Sequence, residues 1–230
     1  FKPDIDRILA LLPSPNTRQT LLFSATVPHA VRDIANKSLR SGWGLIDTVG
    51  EEVEQTHAHV QQTLICCDDS EQITTLAQVL NQEIASCINA TTGSNNYKII
   101  VFFTTARMTQ FYSQIFNLID PSVLHGSKVF EMHSRKSQSS RTSTSNQFRD
   151  CRNAIMFSSD VSARGLDYPD VTYVLQVGMT DRQQYIHRLG RTARAGKSGH
   201  GALMLAPYEE KYVCICVTFV CLFVCLFFIG

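Results

Sequence analysis

The residues best equipped for chemistry stand together late in the chain: Gln184, Tyr185, Ile186, His187, Arg188, Leu189, Gly190, Arg191, Thr192, Ala193, Arg194, Ala195 and Gly196. Three arginines and one histidine fall within the eight residues 187–194. A guanidinium is a planar fork of N–H donors that keeps its charge, so arginines repeated at short intervals suit an anion with several oxygens, above all a phosphate. Thr180 to Gln183 offers a capping box, which predicts a helix starting near Asp181. On such a helix His187, Arg191 and Arg194 stand at i, i+4 and i+7 and share one face. A solvated basic helix making ordinary surface pairs has the same composition. The stretch upstream decides between the two: Ser158, Ser159, Asp160, Val161, Ser162, Ala163, Arg164, Gly165, Leu166 and Asp167.

Together and in this order, the two stretches resemble motifs V and VI of the DEAD-box RNA helicases, a family within helicase superfamily 2. The resemblance covers about Asp4 to Lys211 and implies ATP held between two RecA-like domains, of which this chain supplies the second. It assigns Arg191 and Arg194 to the ATP phosphates, where phosphoryl transfer spreads negative charge over oxygens and arginine stabilises it. It places Asp167 on the ribose, puts Gly165 in the nucleotide site beside it, and gives His187 to the network joining the two domains. Arg164 and Arg188 read equally as inter-domain or purely structural partners.

RNA, in the same resemblance, crosses another face. Gln138 and Arg141 match the Gln-x-x-Arg element, in which the arginine meets an RNA phosphate and the glutamine supports it. Ser159 stands where most members carry threonine, and its hydroxyl suits a phosphate oxygen. Amide groups at a helix start near Ser137 have the right sign to help. Backbone contacts carry no base information, so RNA binding with little sequence preference is expected. Ser24, Ala25 and Thr26 match motif III, which couples ATP turnover to unwinding, and 101–104 matches motif IV in position, its phenylalanines reading first as core.

Two positions depart from the pattern. His133-Ser134-Arg135 stands where many members read His-Gly, and Ala193 replaces a frequent glycine, a change that reads as tolerable. Residues 133–141, 158–176 and 185–197 look closest to an organellar, mitochondrial subgroup of plants and fungi. No Gly-x-x-x-x-Gly-Lys-Thr loop and no Asp-Glu-Ala-Asp box is present. Mg2+ would then be held mainly by first-domain residues outside this chain, with no metal site within it, and the chain alone is not expected to hydrolyse ATP.

Composition sets the frame. The 230 residues are 44% hydrophobic and 18% charged with net charge +1, enough for one full domain and part of another. Near-neutrality confines any nucleic-acid site to local clusters, at 135–149 and 188–197. Eight cysteines without a Cys-x-x-Cys pair suggest neither zinc nor a disulfide framework, but a reduced, intracellular protein. The chain starts at Phe1 with no targeting segment, so processing or a preceding portion is expected.

The elements that must position these residues follow from periodicity. A helix to Leu12 is stopped by Pro13 and Pro15. Residues 20–23 read as a buried strand delivering Ser24, and Pro28 opens a helix to about Arg40 with Val31, Ile34, Ala35 and Leu39 inward. Strands are predicted at 60–66, 98–104, 129–132, 153–157, 172–177 and 202–205, with helices to about 85 and at 107–119, 137–149 and after Asp181. Such alternation argues for a parallel sheet covered on both faces, with the motifs at the carboxyl ends of its strands. The expected fold is α/β: a RecA-like parallel sheet with helices on both faces, preceded by the end of another RecA-like domain. The expected segments are 1–45 (end of domain one), 46–59 (linker), 60–211 (domain two) and 212–230 (apolar tail).

The tail carries no charge over its nineteen residues. As a helix it would rise about 28 Å, close to the roughly 30 Å hydrocarbon core, so it reads as a membrane anchor or, from its low-complexity Val, Cys, Phe and Leu, as translated non-coding sequence. The function expected is that of the C-terminal part of an ATP-dependent RNA helicase, with ATP, Mg2+, RNA and the first domain as partners. The alternatives are a non-catalytic RecA-like module that binds RNA or protein, membrane-tethered if the tail is real, and a DNA helicase of the same superfamily.

Overall fold

The computed structural model describes residues 2–23, 29–46, 60–89, 96–162, 168–193, 199–210 and 224–227. The chain divides into two compact units, Phe1–Glu52 and Val53–Gly230.

In the first unit, α1 (Lys2–Leu11) and α2 (His29–Ser38) flank a connection centred on Arg18. Its guanidinium donates to Pro13 O (2.6 Å), Thr20 Oγ1 (3.1 Å) and Ser38 O (3.4 Å), while Arg40 Nε donates back to Arg18 O (3.0 Å). Residues 20–23 are not a strand here, and Leu21 and Phe23 are 69% and 87% exposed. A strand exists only by pairing, and the described residues of this unit include no second strand to pair with. Of the positions expected to face inward on α2, Ala35 is buried and Ile34 is exposed.

The second unit strings β1 (Gln61–Cys66), α3 (Gln72–Asn89), β2 (Lys98–Phe103), α4 (Ala106–Leu118), β3 (Val129–Met132), α5 (Gln138–Asp150), β4 (Ala154–Ser158), β5 (Tyr173–Val177), α6 (Arg182–Leu189) and β6 (His200–Leu205). The strands lie in the order β3-β4-β2-β5-β6-β1, all parallel. A seventh, β7 (Val224–Phe227), adds in parallel beyond β1. Those four tail residues are extended rather than helical, and among the described residues no helix is long and apolar enough to cross a membrane. The rest of the tail, apart from these four, lies outside the described residues.

The central strands are buried on both faces, which is why their sequences run apolar without alternating with charge. Ile99, Val101 and Phe103 of β2 point to one side, against Leu76, Leu80 and Ile84 of α3 and Tyr112 and Phe116 of α4. Ile100 and Phe102 point to the other, against Phe148 of α5. On that second side α6 sets Tyr185 and Leu189 on Leu64, Leu203 and Leu205. The strand period of two is thus legible directly in β2.

Local devices hold the helices and the sheet edge that matter later. The α5 sequence, rich in Ser and Thr, favours helix weakly. It is started by Ser137, whose hydroxyl accepts from Ser140 N (3.3 Å), and pinned by Ser145, which accepts from Tyr168 OH (3.1 Å). At its far end the buried Lys98 ammonium donates to Arg149 O (2.7 Å) and Pro169 O (3.3 Å), and desolvation lowers the lysine pKa. On the free side of the edge strand β3, Asn117 Nδ2 donates to Val129 O (3.3 Å) and occupies an outward carbonyl. Finally, α6 comes close to the sheet at Gly201: a Cβ there would lie 2.5 Å from Leu189 Cδ1 and 3.0 Å from Val174 O. Gly201→Ala should therefore cost about 1–3 kcal/mol by overpacking, read as a lower urea midpoint; an unchanged midpoint would show that α6 is not seated this closely.

Candidate nucleotide and RNA site

The loop after β4 and the end of α6 are joined by one ion pair. Arg188 is 1% exposed. Its Nε and Nη2 both reach Asp160 Oδ1, at 2.8 and 2.7 Å, and its guanidinium carbon lies 5.5 Å from the centre of the Phe102 ring. The Asp160 side chain is 44% exposed, so the pair is dry at the arginine and wet at the carboxylate. Of the two roles left open for Arg188, the structure shows the structural one.

Asp160 owes its place to β4. Ser159 N donates to Met132 O (3.0 Å), continuing the β3–β4 ladder by one bond, and the Ser158 hydroxyl donates to Met132 O (3.2 Å) and Ser159 O (2.8 Å). Ser159 is buried, with Asp160 the next residue out.

The helix start falls one residue later than the capping box predicts. Asp181, not Thr180, is the N-cap: its carboxylate accepts from Gln184 N (2.8 Å), and Thr180 Oγ1 donates to Gln184 Oε1 (2.8 Å). The other end differs more. The helix stops at Leu189, so His187 and Arg191 do not continue a common helical face. Arg191 N donates to Arg188 O (3.0 Å) and Thr192 N to Leu189 O (3.1 Å), a tighter turn than the α-helical one. Two features end the helix here: Gly190 is its C-cap, and the following turn is anchored by Thr192, which is buried and whose Oγ1 donates to Val171 O (2.6 Å). His187 is half-buried and accepts Arg191 Nε at its carbonyl (3.2 Å).

The Thr192 anchor also corrects the placement of the motifs. Ser159 and the start of α5 do lie at the carboxyl ends of β3 and β4. Arg191 does not: α6 runs back across the sheet and leaves its final turn beside Val171, ahead of the amino end of β5. The Asp160–Arg188 pair spans from one location toward the other.

Ala193 carries φ +53°, a left-handed backbone that costs an L-residue about 1 kcal/mol or more and glycine nothing. The substitution is thus strained rather than neutral. The turn is tightly seated: a Cβ on Gly199 would meet Thr192 Oγ1 at 2.1 Å and Ala193 N at 2.7 Å, so the turn rests directly on that glycine. Ala193→Gly should raise unfolding stability by about 1 kcal/mol, seen as a higher thermal midpoint; a fall would mean the turn does not adopt this backbone.

On the RNA side, Gln138 is the exposed first residue of α5, and Arg141 lies one turn on, half-buried, its amide donating to Ser137 O (3.0 Å). His133 at the end of β3 is buried and faces inward. Its Nδ1 accepts from Arg135 N (3.2 Å), so Nε2 carries the proton and donates to Glu131, whose other oxygen pairs with Lys136 at 3.2 Å. It shapes the turn leading to α5 and leaves no lone pair for a ligand. Asp167, Gly165, Arg194 and Arg164, with Ser24 and Thr26, lie outside the described residues. Among those described, no three His, Cys, Asp or Glu residues converge as a metal site.

Sequence reasoning missed Asp160, Gln62 and Gln176 as structural partners of the site. Gln62 is buried in β1 and accepts from the Tyr185 hydroxyl, while Gln176, buried in β5, donates through Nε2 to Tyr185 O (3.1 Å). Two glutamines inside apolar strands were the available signal, since a buried amide demands a partner.

Comparison with known proteins fits this architecture. The family model of the helicase conserved C-terminal domain matches residues 75–196. DEAD-box ATP-dependent RNA helicase 25 of Oryza sativa subsp. japonica is 46% identical over 214 residues, 93% of this chain and 34% of that protein. The mitochondrial ATP-dependent RNA helicase mss116 of Aspergillus oryzae is 40% identical over 93% of this chain and 32% of its own length. Among solved structures, Mss116p bound to single-stranded RNA and AMP-PNP matches with TM-score 0.75 and 30% identity, over 92% of this chain and 41% of that one. Domain 2 of Mss116p bound to an RNA duplex matches with TM-score 0.64 and 28% identity, over 74% of this chain and 64% of that one. The chain belongs to the DEAD-box RNA helicases and carries their conserved C-terminal domain. It spans about a third of the length of the curated relatives it matches.

Proposed function

We propose that this chain is the C-terminal part of an ATP-dependent RNA helicase that couples ATP hydrolysis to RNA binding and local strand separation. The α5 start, with Gln138 and Arg141, and the Ser159 hydroxyl take the RNA sugar-phosphate backbone. Arg191 and Arg194 serve the ATP phosphates, with Asp167 and Gly165 at the ribose side and His187 facing the first domain. Ser24 and Thr26 couple the two events. Mg2+ would neutralise phosphate charge from first-domain carboxylates, the described residues here offering no cluster to hold it. The observation that carries this reading is the joining of the Ser159 loop to the Arg191 turn through Asp160 and Arg188. That is the connection an enzyme needs if RNA and nucleotide occupy different parts of one domain.

The test uses the full-length polypeptide bearing this segment. ATP hydrolysis stimulated by single-stranded RNA and not by DNA of the same sequence, with strand separation of a short duplex, is the expected result. Hydrolysis indifferent to RNA would sink the proposal, and stimulation by DNA alone would move it to the DNA branch of the superfamily. An organellar site of action accords with the mitochondrial relative; a fluorescent fusion excluded from organelles would remove that part.

A further inference from the structure

The geometry points to Asp160 as a positioning residue for Arg191, acting through Arg188, and this rests on the helicase reading above. Arg188 is the largest fully buried side chain described, and a charge so placed is tolerable only with a partner. Asp160 Oδ1 takes its Nε and Nη2 donors, Nη1 is buried without a hydrogen-bond partner among the described residues, and the guanidinium lies over Phe102. The Arg188 backbone is therefore fixed, and its carbonyl is the acceptor for Arg191 N. One residue beyond, Thr192 is fastened to Val171 O. Arg191 thus sits between two clamps, one on the stretch ahead of β5 and one on the loop that begins with Ser159.

The consequence is directional. The Thr192 clamp ties the turn after α6 to the stretch just ahead of β5 and touches no residue assigned to RNA. The Asp160 clamp differs, because it is next to Ser159 and its carboxylate lies 44% exposed at the carboxyl end of β4. A displacement of that loop by RNA is delivered toward Arg191 through the Asp160–Arg188 ion pair. A group held by such a clamp contributes to the transition state by orientation, so its loss lowers kcat more than it raises KM.

The experiment compares the full-length polypeptide with Asp160→Asn, which keeps an oxygen acceptor for Arg188 but not the charge, and with Asp160→Glu, which keeps the charge. RNA affinity is read by fluorescence anisotropy of a labelled single strand, and kcat and KM by RNA-stimulated ATP hydrolysis. Asp160→Asn is expected to lower kcat at least tenfold while the RNA dissociation constant and the KM for ATP each move less than threefold, with Asp160→Glu recovering part of the loss. If kcat stays within twofold, or if RNA affinity falls in step with kcat, Asp160 is a fold element or an RNA contact and the inference is overturned. If the unsubstituted protein shows no RNA-stimulated hydrolysis, it is the helicase reading that has failed.

Discussion

Replacing Arg191 by alanine in the full-length polypeptide should lower kcat for RNA-stimulated ATP hydrolysis by about 10³-fold, the lower end of what a phosphate-directed arginine contributes. The reasoning is electrostatic. Charge developing on the transferring phosphoryl oxygens needs a fixed cation in a water-poor site, and a guanidinium already oriented by its neighbours needs no reorganisation at the moment of reaction. Arg191 meets the second condition through His187 O and Arg188 O. RNA affinity measured without nucleotide should change little, because the RNA backbone is assigned to Gln138, Arg141 and Ser159 rather than to Arg191. Arg191→Lys should not restore the rate, since a point charge lacks the fork. A kcat within tenfold of normal in Arg191→Ala would remove this residue from the phosphate site.

The second large effect is on stability, and its sign depends on which partner is removed. Asp160→Ala strands a guanidinium that is 1% exposed. Breaking a buried pair from this side costs about 3–5 kcal/mol, because the remaining charge can reach neither water nor a counter-charge. Arg188→Met removes the buried charge instead and leaves a carboxylate that is already 44% exposed and simply rehydrates. Its cost should be nearer 1 kcal/mol, the packing loss of an imperfect isostere. The double variant should then be more stable than Asp160→Ala alone. Urea unfolding of the four proteins reads all of this; equal costs for the two single variants would show that the arginine finds solvent.

Much of this molecule was legible beforehand because its parallel sheet is written in apolar runs. The strands at 98–103 and 129–132 and the helix at 106–118 were recoverable from pattern alone, since burial on both faces leaves few other ways to place Lys98–Phe103. The failures share a cause. Residues 20–23 have strand composition, but the described residues of their unit include no second strand for them to pair with. The residues after Leu189 carry arginines at helical spacing, yet Gly190 caps the helix and Thr192 is fastened to Val171, twenty-one residues away in sequence. Ala193 looked harmless because neither its left-handed backbone nor its close approach to Gly199 is visible in the local sequence. Asp160 was hidden inside a run read for its other members, and only the fold reveals that it answers Arg188. Local propensity therefore found the elements, while long-range hydrogen bonds set their ends and the partners within the site.

The strand order carries a cost during synthesis. β1 is the first strand of its sheet to be made, but among β1–β6 its hydrogen-bonded neighbour is β6, the last, paired from Gln61↔His200 to Cys66↔Leu205. At roughly 5–20 residues per second, a ribosome leaves β1 without that neighbour for on the order of ten seconds or more. Meanwhile β2, β3 and β4 have all emerged and can form their half of the sheet. The apolar flank of β1, with Leu64 and Ile65, is then the part of the nascent chain most exposed to wrong partners, and the part a chaperone would have reason to hold.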